Sequence, residues 1–453
     1  MLANVIRTGT TRGLDFVTLS ELKRRAGVTE KQVVIWVLSE LLANALDKDA
    51  TTIRAGTRSE DGFIIVCVSD NGMRKITLDD LQLILNFENK ASSKRGILRV
   101  SRGMLGNALK TIFGFSYALN KTEHPTILVE CQETVFEIQL LPDLVNEKIE
   151  YEIKTNQRID DGFTKIQVKL FAEVTPEEVK DFLDATTFVN PDRRFEFDVF
   201  GSVETIEPRR KNLIKLRNET SAIWYTLDQF IELFKEFRKA SPESRLREFM
   251  ALFRGFSGLE AMTEACKNAQ HEKATVMIAD GSDCAFLPST KLKDVADEMT
   301  KSLYRAMKSK SEVISTRSIP SVLGCVGRES FRQLALRKGW ELRSYRWAAG
   351  IKVQCNEYHD GDVKGPCKSR NDHVEFPLCF ELAVFYRLDN DGLRVYPCLN
   401  FASSVEKNLF DRHYDIAAHV ASSGRGIRSP LTVVAHVITP VVGWLNYGKT
   451  AMA

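Results

Sequence analysis

The triplet Asp70-Asn71-Gly72 ends an apolar run, FIIVCVSD. An aspartate at the end of a strand can accept a hydrogen bond from an exocyclic amine such as that of adenine, and a glycine two residues on lets the chain pass close beneath a flat base. The same three residues are also ordinary turn chemistry. Further along, Ser101-Arg102-Gly103-Met104-Leu105-Gly106-Asn107 precedes a helical pattern. Its glycines permit close backbone approach, and the first turn of the helix offers unpaired N–H groups to a phosphate. Upstream, Glu40, Asn44 and Asp47 stand at i, i+4 and i+7, so a helix would carry them on one face, opposite Val34, Val37, Leu41 and Ala45. Such a stripe either faces a site or is simply solvated.

The elements that must position these residues are legible from periodicity. Residues 30–48 carry apolar side chains at helical spacing among good helix formers. TTIRAG (51–56) and FIIVCVSD (63–70) flank Ser59-Glu60-Asp61-Gly62, which predicts an antiparallel hairpin. A polar stretch from Asn86 to Gly106 leads into the helix NALKTIFGFSYAL, and TILVEC, VFEIQLL and TKIQVKLF read as strands. This order suggests an α/β sandwich on a mixed, largely antiparallel sheet. From about Thr226 to Ala269 the pattern is helical (TLDQFIELFKEFRKA, SRLREFMALFRGF, GLEAMTEACKNA). After Ser311 strands return around the helix RESFRQLALRKG, as FPLCFELAVFYRL, LRVYPCLNFAS and LTVVAHVITPV.

At 453 residues the chain is too long for one small fold, and 43% hydrophobic with 27% charged residues is ordinary globular composition. A net charge of +3 argues neither for nor against nucleic acid, so any basic surface must be local. Nine scattered cysteines suggest reduced thiols in the cytosol. The first residues lack an apolar signal core and no stretch approaches a membrane span, so a soluble, intracellular protein without membrane contact is expected.

Taken in order, ELLANALD, VSDNG and SSKRGILRVSRGMLGNALK resemble the N-box, the DNG motif and the ATP lid of the GHKL ATPases, the superfamily of gyrase, the heat-shock chaperone, histidine kinases and MutL. Within it, SSK followed by SRGxxG and a helix is similar to the ATPase component, the B protein, of type IIB topoisomerase (topoisomerase VI). FLDATTFVNPDRRFEF (182–197) resembles the segment that closes that family's ATPase domain, Phe163-Thr164-Lys165-Ile166 its strand threonine near the adenine, and HVITPVVGWLNYGKTAMA its transducer segment. The resemblance implies an α+β chain in three parts: a Bergerat-fold α/β sandwich ATPase domain over 1–206, a helical middle module over 207–310 where the family has a helix-two-turns-helix insert, and a C-terminal α/β transducer domain over 311–453.

Carried over residue by residue, the resemblance implies that Glu40 is the general base for the attacking water and Asn44 a Mg²⁺ ligand and part of the ATP site. Asp70 would recognise adenine, Gly72 would make room for it, and Thr164 would lie nearby. Gly103, Leu105, Gly106 and Asn107 would give lid amides to the phosphates, with Lys94 in the lid, and Lys449 would reach the γ-phosphate. Mg²⁺ favours oxygen ligands and phosphate, which suits this set. Asp47 is expected to be supporting. The sequence departs from the family at Arg74, where a second glycine is usual, and at Phe163, where a glycine is common. It ends four residues after Lys449, where the family continues into a long helix that grips the catalytic partner, so either the sequence is truncated or the partner is held differently.

The function implied is that of an ATP-dependent clamp component of a topoisomerase-like complex. It would homodimerise on ATP, act on duplex DNA in the cytoplasm at the nucleoid, and pair with a DNA-cleaving A-type partner that carries a Toprim domain and a catalytic tyrosine. The alternative is an ATPase clamp or sensor in DNA repair or defence against foreign DNA, without strand passage. A scaffold without turnover is disfavoured by Glu40, and a histidine kinase by the N-terminal position of the motifs. Three other signals stand apart. Cys355, His359, Cys367 and His373 fall in a turn-rich stretch with no standard zinc spacing. Arg209, Arg210, Lys211, Lys215 and Arg217 form a basic run that reads either as a phosphate track or as a solvated linker. Asp389 and Asp391 read as turn chemistry.

Overall fold

The computed structural model describes residues 5–11, 13–73, 75–87, 97–101, 108–120, 125–212, 214, 219–274, 286–355, 373–388, 392–405 and 430–442. Lys94, Gly103, Leu105, Gly106, Asn107 and Lys449, together with Arg74, Lys215, Arg217, His359, Cys367, Asp389 and Asp391, lie outside the described residues.

The N-terminal part runs β1 (Val5–Thr11), α1 (Leu19–Ala26), α2 (Val33–Leu46), β2 (Thr52–Glu60), β3 (Phe63–Asp70), α3 (Leu78–Leu85), α4 (Ala108–Leu119), β4 (Ile127–Cys131), β5 (Thr134–Asp143), β6 (Lys148–Gln157), β7 (Thr164–Leu170), α5 (Pro176–Val189), β8 (Arg194–Val199) and β9 (Ser202–Ile206). The strands form one nine-stranded sheet in the order β1-β6-β5-β4-β7-β3-β2-β8-β9. Every pairing is antiparallel except β2 with β8. The β2–β3 hairpin turns on Asp61 and Gly62, whose φ values of 51° and 80° are the paired left-handed conformations a two-residue turn requires. One face of this sheet carries α2, α4 and α5. Val34, Val37, Leu41, Ile53, Val66, Val68, Ile112, Phe115, Ile166, Val168 and Phe195 are buried together between the layers. Gly114 sets the spacing, because a Cβ there would lie 1.8 Å from the Phe16 carbonyl oxygen. The α/β sandwich expected from the pattern is the fold observed.

Helices follow: α6 (Leu227–Ala240), α7 (Leu246–Met250), α8 (Leu259–Ala274), α9 (Asp297–Lys310), α10 (Ile319–Leu323) and α11 (Arg328–Lys338). The helical run SRLREFMALFRGF shortens to the five residues of α7. Its aromatic residues Phe249 and Phe253 pack with Phe230 at ring-centroid distances of 5.6 and 5.5 Å, a cluster served by turns as well as by helix. Then β10 (Glu341–Cys355), β11 (His373–Tyr386), β12 (Arg394–Leu399), β13 (Ala402–Ser403) and β14 (Leu431–Ile438) make a second sheet in the order β10-β11-β14-β12-β13, with β12 and β14 parallel. The buried residues of the helices and of this sheet, from Tyr225 and Phe230 to Phe385 and Ile438, form one continuous cluster. The chain is therefore α+β throughout. Among the described residues no helix is long and apolar enough to cross a membrane, and six cysteines are free thiols.

Candidate functional site

Helix α2 is the wall that carries the polar stripe. A 3₁₀ turn, Glu30–Gln32, leads into it and is closed by a capping box in which Thr29 donates its backbone N–H to the Gln32 side-chain oxygen at 2.9 Å, and the helix buries almost every side chain. Glu40 is among them, only 9% exposed, so the solvated-stripe alternative does not hold for it. One turn on, Asn44 is half-buried, and its Nδ2 is buried without a hydrogen-bond acceptor among the described residues. An orphaned buried amide is costly unless something outside the protein pairs with it. Four residues of helix rise about 6 Å, so Glu40 and Asn44 stand one above the other as a ladder on α2, and Lys48 follows in the turn just past its end.

Lys48 links this ladder to the strand end. Its Nζ donates to Asp70 Oδ2 at 3.0 Å, while the Gly72 N–H donates to Asp70 Oδ1, also at 3.0 Å. Asp70 is 4% exposed. Asn71 staples the two segments: its side-chain oxygen accepts from the N–H groups of Thr51 and Thr52, each at 2.9 Å, and its Nδ2 donates to Thr51 Oγ1 at 2.8 Å. Underneath, Arg193 Nη1 donates to the Ala50 carbonyl at 2.5 Å, which gives FVNPDRRFEF a local purpose. Asp49, between Lys48 and Ala50, takes a left-handed φ of 56°.

Gly72 is expected to leave room for a base. In the structure a Cβ there would lie 2.6 Å from Lys48 Cβ, 2.8 Å from Asp70 Oδ1 and 3.0 Å from the Lys48 carbonyl oxygen, so the absent side chain makes room for this chain's own lysine and aspartate. Thr164 sits directly across from Asp70 in the β3–β7 register and is buried, with its hydroxyl 3.5 Å from Cys131 Sγ. Phe163, in place of a glycine, lies under the Arg54 guanidinium at 3.9 Å from the ring centroid. The structure thus brings Glu40, Asn44, Asp70, Gly72 and Thr164 to one side of the sheet, from separate stretches of sequence. Lys48 escaped the sequence reading because its role depends on a partner 22 residues away on another element.

Between the undescribed stretches on either side, Ile97–Ser101 leaves the sandwich core. Leu98 and Val100 are buried in the cluster of the helices and second sheet. The Leu98 N–H donates to the Tyr225 hydroxyl at 2.6 Å, and Asn400 Nδ2 donates to the Ser101 carbonyl at 3.3 Å. Burial pushes the Tyr225 phenol up to about 12. Asn400 also exchanges bonds with Thr439 just past β14, donating to its carbonyl and accepting from its N–H, each at 2.9 Å. Behind that turn lies a buried carboxylate. Glu381 accepts from the amides of Val326 and Gly327 at 2.9 and 2.8 Å, from the Tyr345 hydroxyl at 2.7 Å and from His436 Nδ1 at 3.1 Å. Because the Phe401 N–H donates to His436 Nε2 at 3.1 Å, the imidazole proton is on Nδ1 and the ring is neutral.

The basic run is corrected in part. Arg209 is buried, with Nη2 donating to the carbonyls of Thr187 and Phe188 at 2.7 and 3.2 Å, where it closes the last turn of α5. Burial, with Arg337 nearby, brings its guanidinium down to about 10. It is turned inward, onto the end of α5. Cys355 and His373 are cross-strand neighbours at the end of the β10–β11 hairpin. Among the described residues no group of three or more His, Cys, Asp or Glu is placed to hold a metal.

No family model matches the chain, and no curated protein matches it. Among solved structures, the ATPase domain of Aquifex aeolicus MutL complexed with ADP aligns over 90% of this chain and 92% of that chain, with 10% sequence identity and a TM-score of 0.33. A superposition that loose assigns no residue a role, and the site stands on its own geometry.

Proposed function

We propose that this chain is a GHKL-type ATPase whose N-terminal sandwich binds ATP and Mg²⁺ and whose nucleotide state closes and opens a homodimeric clamp. The observation that carries the reading is the convergence of separately spaced motifs on one wall: Glu40 and Asn44 on α2, and Asp70 with Gly72 at the end of β3. The base would lie at Asp70 and the phosphates toward Asn44 and Glu40, along the rise of the helix. The donor set suits Mg²⁺, a hard cation that takes few protein oxygens beside phosphate. Asn44 would hold it through its side-chain oxygen, leaving its buried, unpaired Nδ2 to donate to a phosphate oxygen, and the cation would supply charge neutralisation at the phosphates.

In this reading Glu40 orients and deprotonates the attacking water from its buried position. Gly103, Leu105, Gly106, Asn107 and Lys94 would cover the phosphates, and Lys449 would reach the γ-phosphate. We further propose a role similar to that of the ATPase component of type IIB topoisomerase, with duplex DNA as substrate and a separate A-type partner doing the cutting.

The test is molar mass by light scattering with Mg²⁺ and a non-hydrolysable ATP analogue, on the wild type and Asp70→Asn. Doubling of mass in the wild type alone supports the clamp. A monomer in every condition with no nucleotide bound overturns it. Glu40→Gln is expected to bind ATP normally while phosphate release falls by about a hundredfold or more, the size of general acid–base contributions. Equal turnover in Glu40→Gln would remove Glu40 as the base.

A further inference from the structure

We propose that Lys48 and Asp70 act as one base-reading unit, in which Lys48 is a positioning residue that holds the Asp70 carboxylate aimed at the 6-amino group of a purine nucleotide. The inference rests on the reading of this site as a nucleotide pocket.

Asp70 is a carboxylate with a 6% exposed side chain. A carboxylate buried that deeply needs hydrogen-bond partners to fix its two oxygens. The Lys48 ammonium, 3.0 Å away and itself only 15% exposed, is one such partner. Each Asp70 oxygen accepts one donor of the chain, the Gly72 amide on Oδ1 and Lys48 on Oδ2. A carboxylate oxygen has two lone pairs, so each oxygen retains a second site for an incoming amine.

Lys48 differs from a surface lysine in how it is placed. Its Cβ packs against the α-carbon of Gly72, where a methyl group would sit 2.6 Å away. The turn that carries it is fixed by the left-handed Asp49, by Arg193 on the Ala50 carbonyl, and by Asn71 on the amides of Thr51 and Thr52. The ammonium is held by the fold before any ligand arrives, so little side-chain freedom is lost on binding. A carboxylate so held favours a 6-aminopurine, which brings a donor to it. A 6-oxopurine brings an oxygen, and the two acceptors repel.

The experiment compares ATP with purine riboside triphosphate, which lacks only the 6-amino group, by calorimetric titration of the full chain. The wild type is expected to favour ATP roughly tenfold, the worth of a hydrogen bond to a charged group. Lys48→Met is expected to erase that preference by weakening ATP alone, with purine riboside triphosphate unchanged. Lys48→Arg, which keeps the charge, is expected to restore most of the preference, and thermal melts of both variants check folding. Equal weakening of both ligands in Lys48→Met would make Lys48 a structural residue and overturn the proposal. So would a Lys48→Met that matches the wild type while Asp70→Asn loses the preference. If the wild type binds neither nucleotide, the nucleotide-pocket reading falls instead.

Discussion

Two neighbouring stretches of the N-terminal part are held in opposite ways. The wall of the proposed base site, from Lys48 to Thr52 and from Asp70 to Gly72, is fixed by residues of its own sandwich: Asn71 on Thr51 and Thr52, Lys48 on Asp70, and Arg193 on Ala50. Ile97–Ser101 is fixed from outside it, by Tyr225 before α6 and by Asn400 between β12 and β13. The first is set by local folding and should be indifferent to the rest of the chain. The second reports on the helices and the second sheet, so a change there is felt at Leu98 and Ser101 before it is felt at Asp70.

The sharpest way to break this contrast is at Glu381. Glu381→Ala takes the acceptor from the amides of Val326 and Gly327, the Tyr345 hydroxyl and His436 and removes the support of His436 beneath Phe401, so a loss of several kcal/mol, at about 1–3 kcal/mol for each donor left buried and unpaired, is expected in denaturant unfolding. Hydrogen exchange should then rise at Ser101 and stay unchanged at Asn71; equal change at both would erase the distinction. Burial on its own would raise the Glu381 carboxyl, but the His436 hydrogen bond and the amides of Gly327 and Val326 outweigh it and hold the group below its ordinary 4.5. A folded value below the unfolded one gives stability that is present above about pH 4.5 and fades as pH falls through the folded value. The wild type, but not Glu381→Ala, should show this acid limb in its unfolding midpoint.

Next in size is Gly72→Ala, which presses a methyl group on Lys48 Cβ and on the Lys48 carbonyl. Overpacking of this kind costs about 1–3 kcal/mol. Its effect should stay in the base wall: nucleotide affinity falls while exchange at Leu98 is unaltered. The smallest effect is expected for Tyr225→Phe, which removes the acceptor of the Leu98 and Thr220 donors. A loss of about 1 kcal/mol is expected, with faster exchange of the Leu98 amide and no change at Asn71. A Tyr225→Phe protein with unaltered Leu98 exchange would show that packing alone holds this segment.

What could be read in the sequence was local and periodic. Helix α2 and the β2–β3 hairpin follow from apolar spacing and from Asp61-Gly62, and the sandwich follows from their order. What escaped was set by distant partners. Strand β1 carries the polar run Arg7-Thr8-Gly9-Thr10 and exists because it pairs with β6. Strand β10, whose sequence ELRSYRWAAGIKVQC lacks a clean apolar alternation, is a fifteen-residue edge that pairs along its length with β11. Lys48 reads as a solvated lysine after a helix until the structure sets it on Asp70. Arg209 misled in the other direction, since a basic run cannot reveal that one guanidinium has turned inward onto the end of α5.

The single buried cluster shared by the helices and the second sheet bears on how the molecule comes apart. Side chains that share one core are lost together, so the sequence's change from helical to strand pattern near residue 340 does not mark a boundary of cooperativity. Calorimetry should resolve one transition for the sandwich and one for everything after it. Leu98 and Val100 belong to the second of these by packing although they belong to the first by sequence. A fragment cut after Ile206 would therefore display Leu98 and Val100, together with Ala185, Phe188 and Val189 of α5, stripped of the neighbours that cover them, and would tend to associate through them.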